Sequence, residues 1–95
     1  MKNYETMFIL KPNVEEEQRN AVIEKFKNII DEGGEIVSVD EWGIKKFAYE
    51  IKKLKEGYYV LINFKSDSDV LNELERNYRI SDDVIRFIVI NLDEK

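Results

Sequence analysis

The hydrophobic pattern of this chain alternates between a period of two and a helical period. The order of those switches narrows the fold more than any motif does. From Tyr4 to Leu10, Tyr4, Thr6, Phe8 and Leu10 share one side of a strand, and Glu5, Met7 and Ile9 share the other. Lys11-Pro12-Asn13 ends it. Asn13 with Glu16 predicts a helix cap, and Glu15 to Glu17 suit the positive end of a helix dipole. Val22, Phe26, Ile29 and Ile30 keep helical spacing as far as Gly33-Gly34, a pair able to take positive φ. Glu35 to Lys53 is strand-like, with Gly43 predicting a bulge and Phe47, Tyr49 and Ile51 resuming the period of two. Lys55-Glu56-Gly57 predicts a hairpin turn, and Tyr58 to Phe64 a strand buried on at least one face. Ser66 and Ser68 are the expected caps of a second helix, whose stripe is Leu71, Leu74 and Tyr78. Ser81-Asp82-Asp83 is a turn before a last strand, Val84 to Ile90. Strand, helix, strand, strand, helix, strand predicts an α+β, ferredoxin-like split βαβ fold: a four-stranded antiparallel sheet with two helices on one face.

Ninety-five residues leave room for one core, so residues 1–95 are expected to form a single domain. The sequence has no Cys and no His, which removes thiolate chemistry and the commonest general base and metal ligand. No metal site and no cofactor are expected. The N-terminus has no apolar stretch followed by a cleavage site, which predicts a cytoplasmic protein. Net charge is −5, yet it is divided unevenly. Between Ile44 and Lys65, Lys45, Lys46, Lys52, Lys53, Lys55 and Lys65 oppose only Glu50 and Glu56. Such a cluster is what a phosphate-facing surface needs, whatever the total.

The hydroxyls Thr6, Ser38, Ser66, Ser68 and Ser81 have no His or Cys to activate them, so no enzyme is expected. The acids at Glu15 to Glu17, Asp67/Asp69 and Asp82/Asp83 sit where helices or turns begin and suit those positions. In Lys45 to Lys55, ammonium groups interleave with Phe47 and Tyr49. The lysines suit phosphates and the aromatics suit unpaired bases or another protein; the same pattern also protects an edge strand. Trp42 beside Gly43 would suit an exposed anchor, but it is expected in the core or half-buried. The third strand lacks the stacking residues of a standard RNA-recognition motif, because Glu56, Tyr59 and Val60 stand where a basic, a small and an aromatic residue belong.

Four segments together resemble protein six of the bacterial small ribosomal subunit. They are Tyr4 to Asn13 (YETMFILKPN), Trp42 to Tyr49 (WGIKKFAY), Glu56 to Phe64 (EGYYVLINF) and Tyr78 to Arg86 (YRISDDVIR). The resemblance spans almost the whole chain in order. It implies a non-catalytic protein that binds small-subunit ribosomal RNA, in its central domain, together with ribosomal protein eighteen. Carried over by position, it implies RNA contacts at Lys2, Tyr4, Lys45, Lys46 and Lys53. Arg is common in the family at the Lys45-Lys46 pair, and a Pro usually stands where this chain has Glu50.

For the protein partner, the candidates are the aromatics Phe47 and Tyr49 and the cations Arg79 and Arg86. Arg86 is expected on the same side of the last strand as Val84 and Ile88, an anchor or a snorkelling side chain among apolar neighbours. A different reading of the same fold is a small regulatory or self-association module, its open sheet face pairing with a second copy and its lysines only guarding an edge.

Overall fold

A computed structural model describes residues 1–93. The elements are β1 (Lys2–Leu10), α1 (Glu16–Gly33), β2 (Gly34–Ile51), β3 (Leu54–Ser66), α2 (Ser68–Ile80) and β4 (Val84–Asn91). The strands form one antiparallel sheet in the order β2-β3-β1-β4. This is the split βαβ topology. Alternation in β1 sends Tyr4, Thr6, Phe8 and Leu10 into the core, where they meet Val60, Ile62 and Phe64 of β3. Both helices cover this same face, α1 through Ile23, Phe26 and Ile30, and α2 through Val70, Leu74 and Tyr78. Phe8, Phe26 and Tyr78 form the centre, with ring centroids 4.6–5.2 Å apart. Each such ring contributes about 1.5–3 kcal/mol by leaving water.

Local details depart from the sequence expectations. Asn13 does not cap α1; the cap position is Glu15, without a side-chain hydrogen bond. The Lys11 amide donates to the Asp83 carbonyl at 2.9 Å, which holds the chain past β1 against the turn before β4, and the helix starts only at Glu16. At α2 the cap is Asp67, whose carboxylate accepts from the Asp69 and Val70 amides at 3.1 and 3.4 Å. Ser66 is buried, its hydroxyl turned to the Asp67 carbonyl, and Ser68 is the first helical residue. Gly34 is extended, with φ −157°. Its missing side chain serves close approach instead: a Cβ there would strike the Lys65 carbonyl oxygen.

The β2–β3 hairpin also turns elsewhere than at Lys55-Glu56-Gly57. Ile51 pairs with Leu54, so Lys52 and Lys53 are the two central residues, with φ of 51° and 66°. Both are left-handed, the conformation a two-residue type I′ turn requires and one that favours Asn-Gly. In residues with a Cβ it costs about 1 kcal/mol or more each. Gly57 lies inside β3, where a Cβ would collide with Ile9 and with the Phe47 ring at 2.9 Å. In β4, a register shift opposite Ile9/Leu10 turns Val84 into the core while Arg86 stays exposed. Arg86 therefore shares a side with Ile88 and Ile90 but not with Val84.

Candidate nucleic-acid and partner interface

With both helices on one face, nothing among the described residues covers the other side of the sheet. It carries Glu5, Met7 and Ile9 from β1, Tyr59, Leu61 and Asn63 from β3, and Arg86, Ile88 and Ile90 from β4, set side by side by the register. Ile88 and Ile90 are 42% and 44% exposed, a large apolar exposure for adjacent positions of one strand. Met7, Ile9, Ile51, Tyr59, Arg86 and Ile88 line a shallow cavity of about 300 Å³ on this face. Glu5 and Asp40, opposite Ile90 and Leu61, place acids at its margin.

β2 adds an aromatic platform. The bulge between Glu41 and Gly43 holds Gly43 at φ +80°, and a Cβ there would meet nothing, so glycine is required for its conformation. The bend sets Trp42 over the open face, 6.4 Å from Tyr59 with the ring planes 12° apart. Its Nε1 donates to Asp40 Oδ2 at 3.1 Å, and Lys45 Nζ lies 5.7 Å from its ring centroid. Phe47 closes the row beside Tyr59 at 6.1 Å. Trp42 is 45% exposed, so it stands on the open face and outside the core, the first of the two places expected for it.

The expected RNA residues do not form one patch. Lys45 and Lys46 pair with Gly57 and Glu56, so they point to opposite sides of β2. They lie with Lys53 toward the hairpin end of the sheet. Lys2 pairs with Ser66 at the other end, about 27 Å along β1 at 3.4 Å per residue. Tyr4 is only 5% exposed and packs on Phe64 at 5.7 Å, so its ring belongs to the core and not to an accessible RNA surface. Tyr49 stands out at 75% exposure, beside a groove shared with Lys46, Phe47 and Lys55. Arg79 lies on α2, its guanidinium bonded to Glu75 at 3.2 Å and 5.9 Å from the Phe87 ring, on the helix side of the sheet.

The pattern of the family described as ribosomal protein S6 matches residues 3–91. The chain belongs to the ribosomal protein S6 family. The small ribosomal subunit protein bS6 of Thermoanaerobacter pseudethanolicus is 58% identical over 95 residues, covering 99% of this chain and 100% of its own. That of Caldanaerobacter subterraneus subsp. tengcongensis is 55% identical over the same shares. The crystal structure of 30S ribosomal protein S6 from Thermotoga maritima superposes with a TM-score of 0.90 at 46% identity, over 95% of this chain and 86% of that one. The S6 family is one of ribosomal structural proteins, not enzymes.

Within this S6 fold, the sequence reading missed Lys11 and Lys52 as neighbours of Arg79. All three border one cleft at the hairpin end. Lys52 had a signal, its place next to Lys53, but Lys11 is brought there only by the β1 terminus. Another unit that no sequence pattern announced is Arg19, whose guanidinium sits 4.1 Å over the Tyr58 ring. The Tyr58 hydroxyl donates to Glu41 at 2.8 Å, and burial, reinforced by that carboxylate, raises its pKa above the ordinary value.

Proposed function

We propose that this protein is a structural component of the small ribosomal subunit that binds the subunit's ribosomal RNA jointly with ribosomal protein eighteen. The observation that carries the reading is the uncovered apolar sheet face. Ile88, Ile90 and the Trp42–Tyr59 platform are too exposed to serve this chain's own core, and acids stand at their margin. A small cationic protein with an apolar docking surface complements such a face, and negative surface elsewhere suppresses nonspecific RNA binding. Lys45, Lys46 and Lys53 would then hold phosphates, with Lys2 at the far end. Phe47, Tyr49 and Arg86 border the partner surface.

The test mixes the protein with ribosomal protein eighteen and a central-domain RNA fragment, singly and together, across a salt series. Binding of the pair to RNA should weaken steeply with salt. A self-association module would instead sediment as a dimer and ignore both partners, and that result overturns the proposal.

A further inference from the structure

We propose that Lys52 of the hairpin turn, Lys11 and Arg79 form a second phosphate-binding cleft, gripping RNA backbone at the hairpin end of the sheet. It deepens the RNA-binding reading and rests on it. Two consecutive side-chain-bearing residues in the left-handed region are a sequence choice that the turn itself does not favour. Asn-Gly would build the same turn without strain. Both lysines are exposed, so no packing requirement explains them. Strain kept in this way marks positions whose side chains are needed where they stand.

What Lys52 stands over is specific. A cleft of about 550 Å³ lies between the turn, the end of β1 and the junction of α2 with β4, and Lys11, Lys52 and Arg79 reach it from three separate elements. An adjoining cleft of about 350 Å³ carries Lys52 and Arg79 again, now with Arg86. Leu54, Val84 and Ile85 give the first cleft apolar walls, and a low-dielectric wall focuses the field of the charges beside it. Among the described residues, the acids nearby are Asp82 on the rim, Asp83 beside it with its carboxylate bonded to Gln18, and Glu75, bonded to Arg79 in an exposed pair. The two adjoining clefts together draw on four cations, Lys11, Lys52, Arg79 and Arg86, against these three acids. Arg79 alone could be explained by its place in the last turn of α2, where a cation complements the helix dipole. That explanation does not reach Lys11 or Lys52. A cationic protein would be repelled here, whereas an RNA backbone supplies the missing negative charge.

The replacement Lys52→Asn tests the idea, because asparagine suits the left-handed position and the change removes the turn charge that lines the clefts while Lys53 stays. The variant should melt higher than the wild type. Its complex with ribosomal protein eighteen should nonetheless bind the RNA fragment more weakly, with a log–log salt slope smaller by about one for each phosphate no longer neutralised. Arg79→Gln should reduce the slope without the gain in melting temperature. Unchanged affinity and slope in both variants, beside a wild type that binds, overturns the cleft and leaves the RNA-binding reading standing. Weakened capture of ribosomal protein eighteen with intact RNA terms makes the cleft a protein site and also overturns it. A wild type that binds no RNA with its partner removes both readings together.

Discussion

The hydroxyls of Thr6 and Tyr78 lie 3.1 Å apart in the core, joining the central strand β1 to helix α2. Thr6 Oγ1 donates to the Ile88 carbonyl at 3.0 Å, so the Tyr78 hydroxyl is the donor to Thr6. The relay satisfies two hydroxyls that are almost wholly out of water. Tyr78→Phe should cost about 1 kcal/mol, since Thr6 keeps its own donation to Ile88. Thr6→Val should cost more, about 1–3 kcal/mol, because it leaves the phenol buried without an acceptor. Urea unfolding of the two variants checks the order.

The same burial makes stability depend on pH at the alkaline end. Burial raises the Tyr78 pKa well above its ordinary 10.0, and the bond to Thr6 lowers it only in part. A group whose folded pKa is raised stabilises fully below its unfolded pKa and progressively less above it. Stability from this source should therefore hold up to about pH 10 and fall as pH rises further. Tyr58 shifts in the same direction. Tyr78→Phe should flatten most of the decline in a series of melts above pH 9, leaving the smaller part due to Tyr58. An undiminished decline would assign it to other groups.

How far the sequence revealed this molecule depended on how locally each feature is caused. The alternation in β1 and the helical stripes are local, and they placed Phe8, Phe26, Leu74 and Tyr78 in the core correctly. The hairpin turn was misplaced because Lys52-Lys53 carries no turn chemistry, whereas Glu56-Gly57 does. Gly57 is small because Ile9 and Phe47 press against it, a fact fixed by residues far away in sequence. The side presented by Trp42 and by Val84 was not legible for a shared reason. Each sits at a register shift, and one extra residue reverses which side a strand presents. The lysines of the candidate site were visible, but the cleft uniting Lys11, Lys52 and Arg79 exists only once the topology is built.

Trp42 separates stability from partner binding. It is half out of water, and its contacts are to Tyr59, Asp40 and Lys45 on the open face. Trp42→Ala should lower folding stability by about 1 kcal/mol at most, the worth of an exposed aromatic pair. If the face takes ribosomal protein eighteen, Trp42 is the kind of anchor whose truncation costs about 2 kcal/mol or more in binding, a loss of roughly thirtyfold. Titration calorimetry with the folded variant measures this directly. Unchanged affinity moves the partner off the platform.

Lys45 and Lys46 provide the test of RNA contact at the strand itself. Their opposed directions mean that a single flat phosphate row cannot engage both unless the RNA wraps the edge of β2. Glutamine is the appropriate replacement, because an acid at position 46 would face Glu56 directly across the hairpin and destabilise it on its own account. Lys45→Gln and Lys46→Gln should each melt close to the wild type, since neither ammonium is buried. In the ternary complex, each lysine that touches phosphate should lower the salt slope by about one when replaced, with weakening that does not depend on base identity. The double variant should show the sum if the RNA wraps the edge, and no more than one unit if it lies on one side. If the lysines only guard an exposed edge, the double variant should instead aggregate faster at unchanged RNA affinity and slope. Measuring light scattering and binding on the same samples decides between the two.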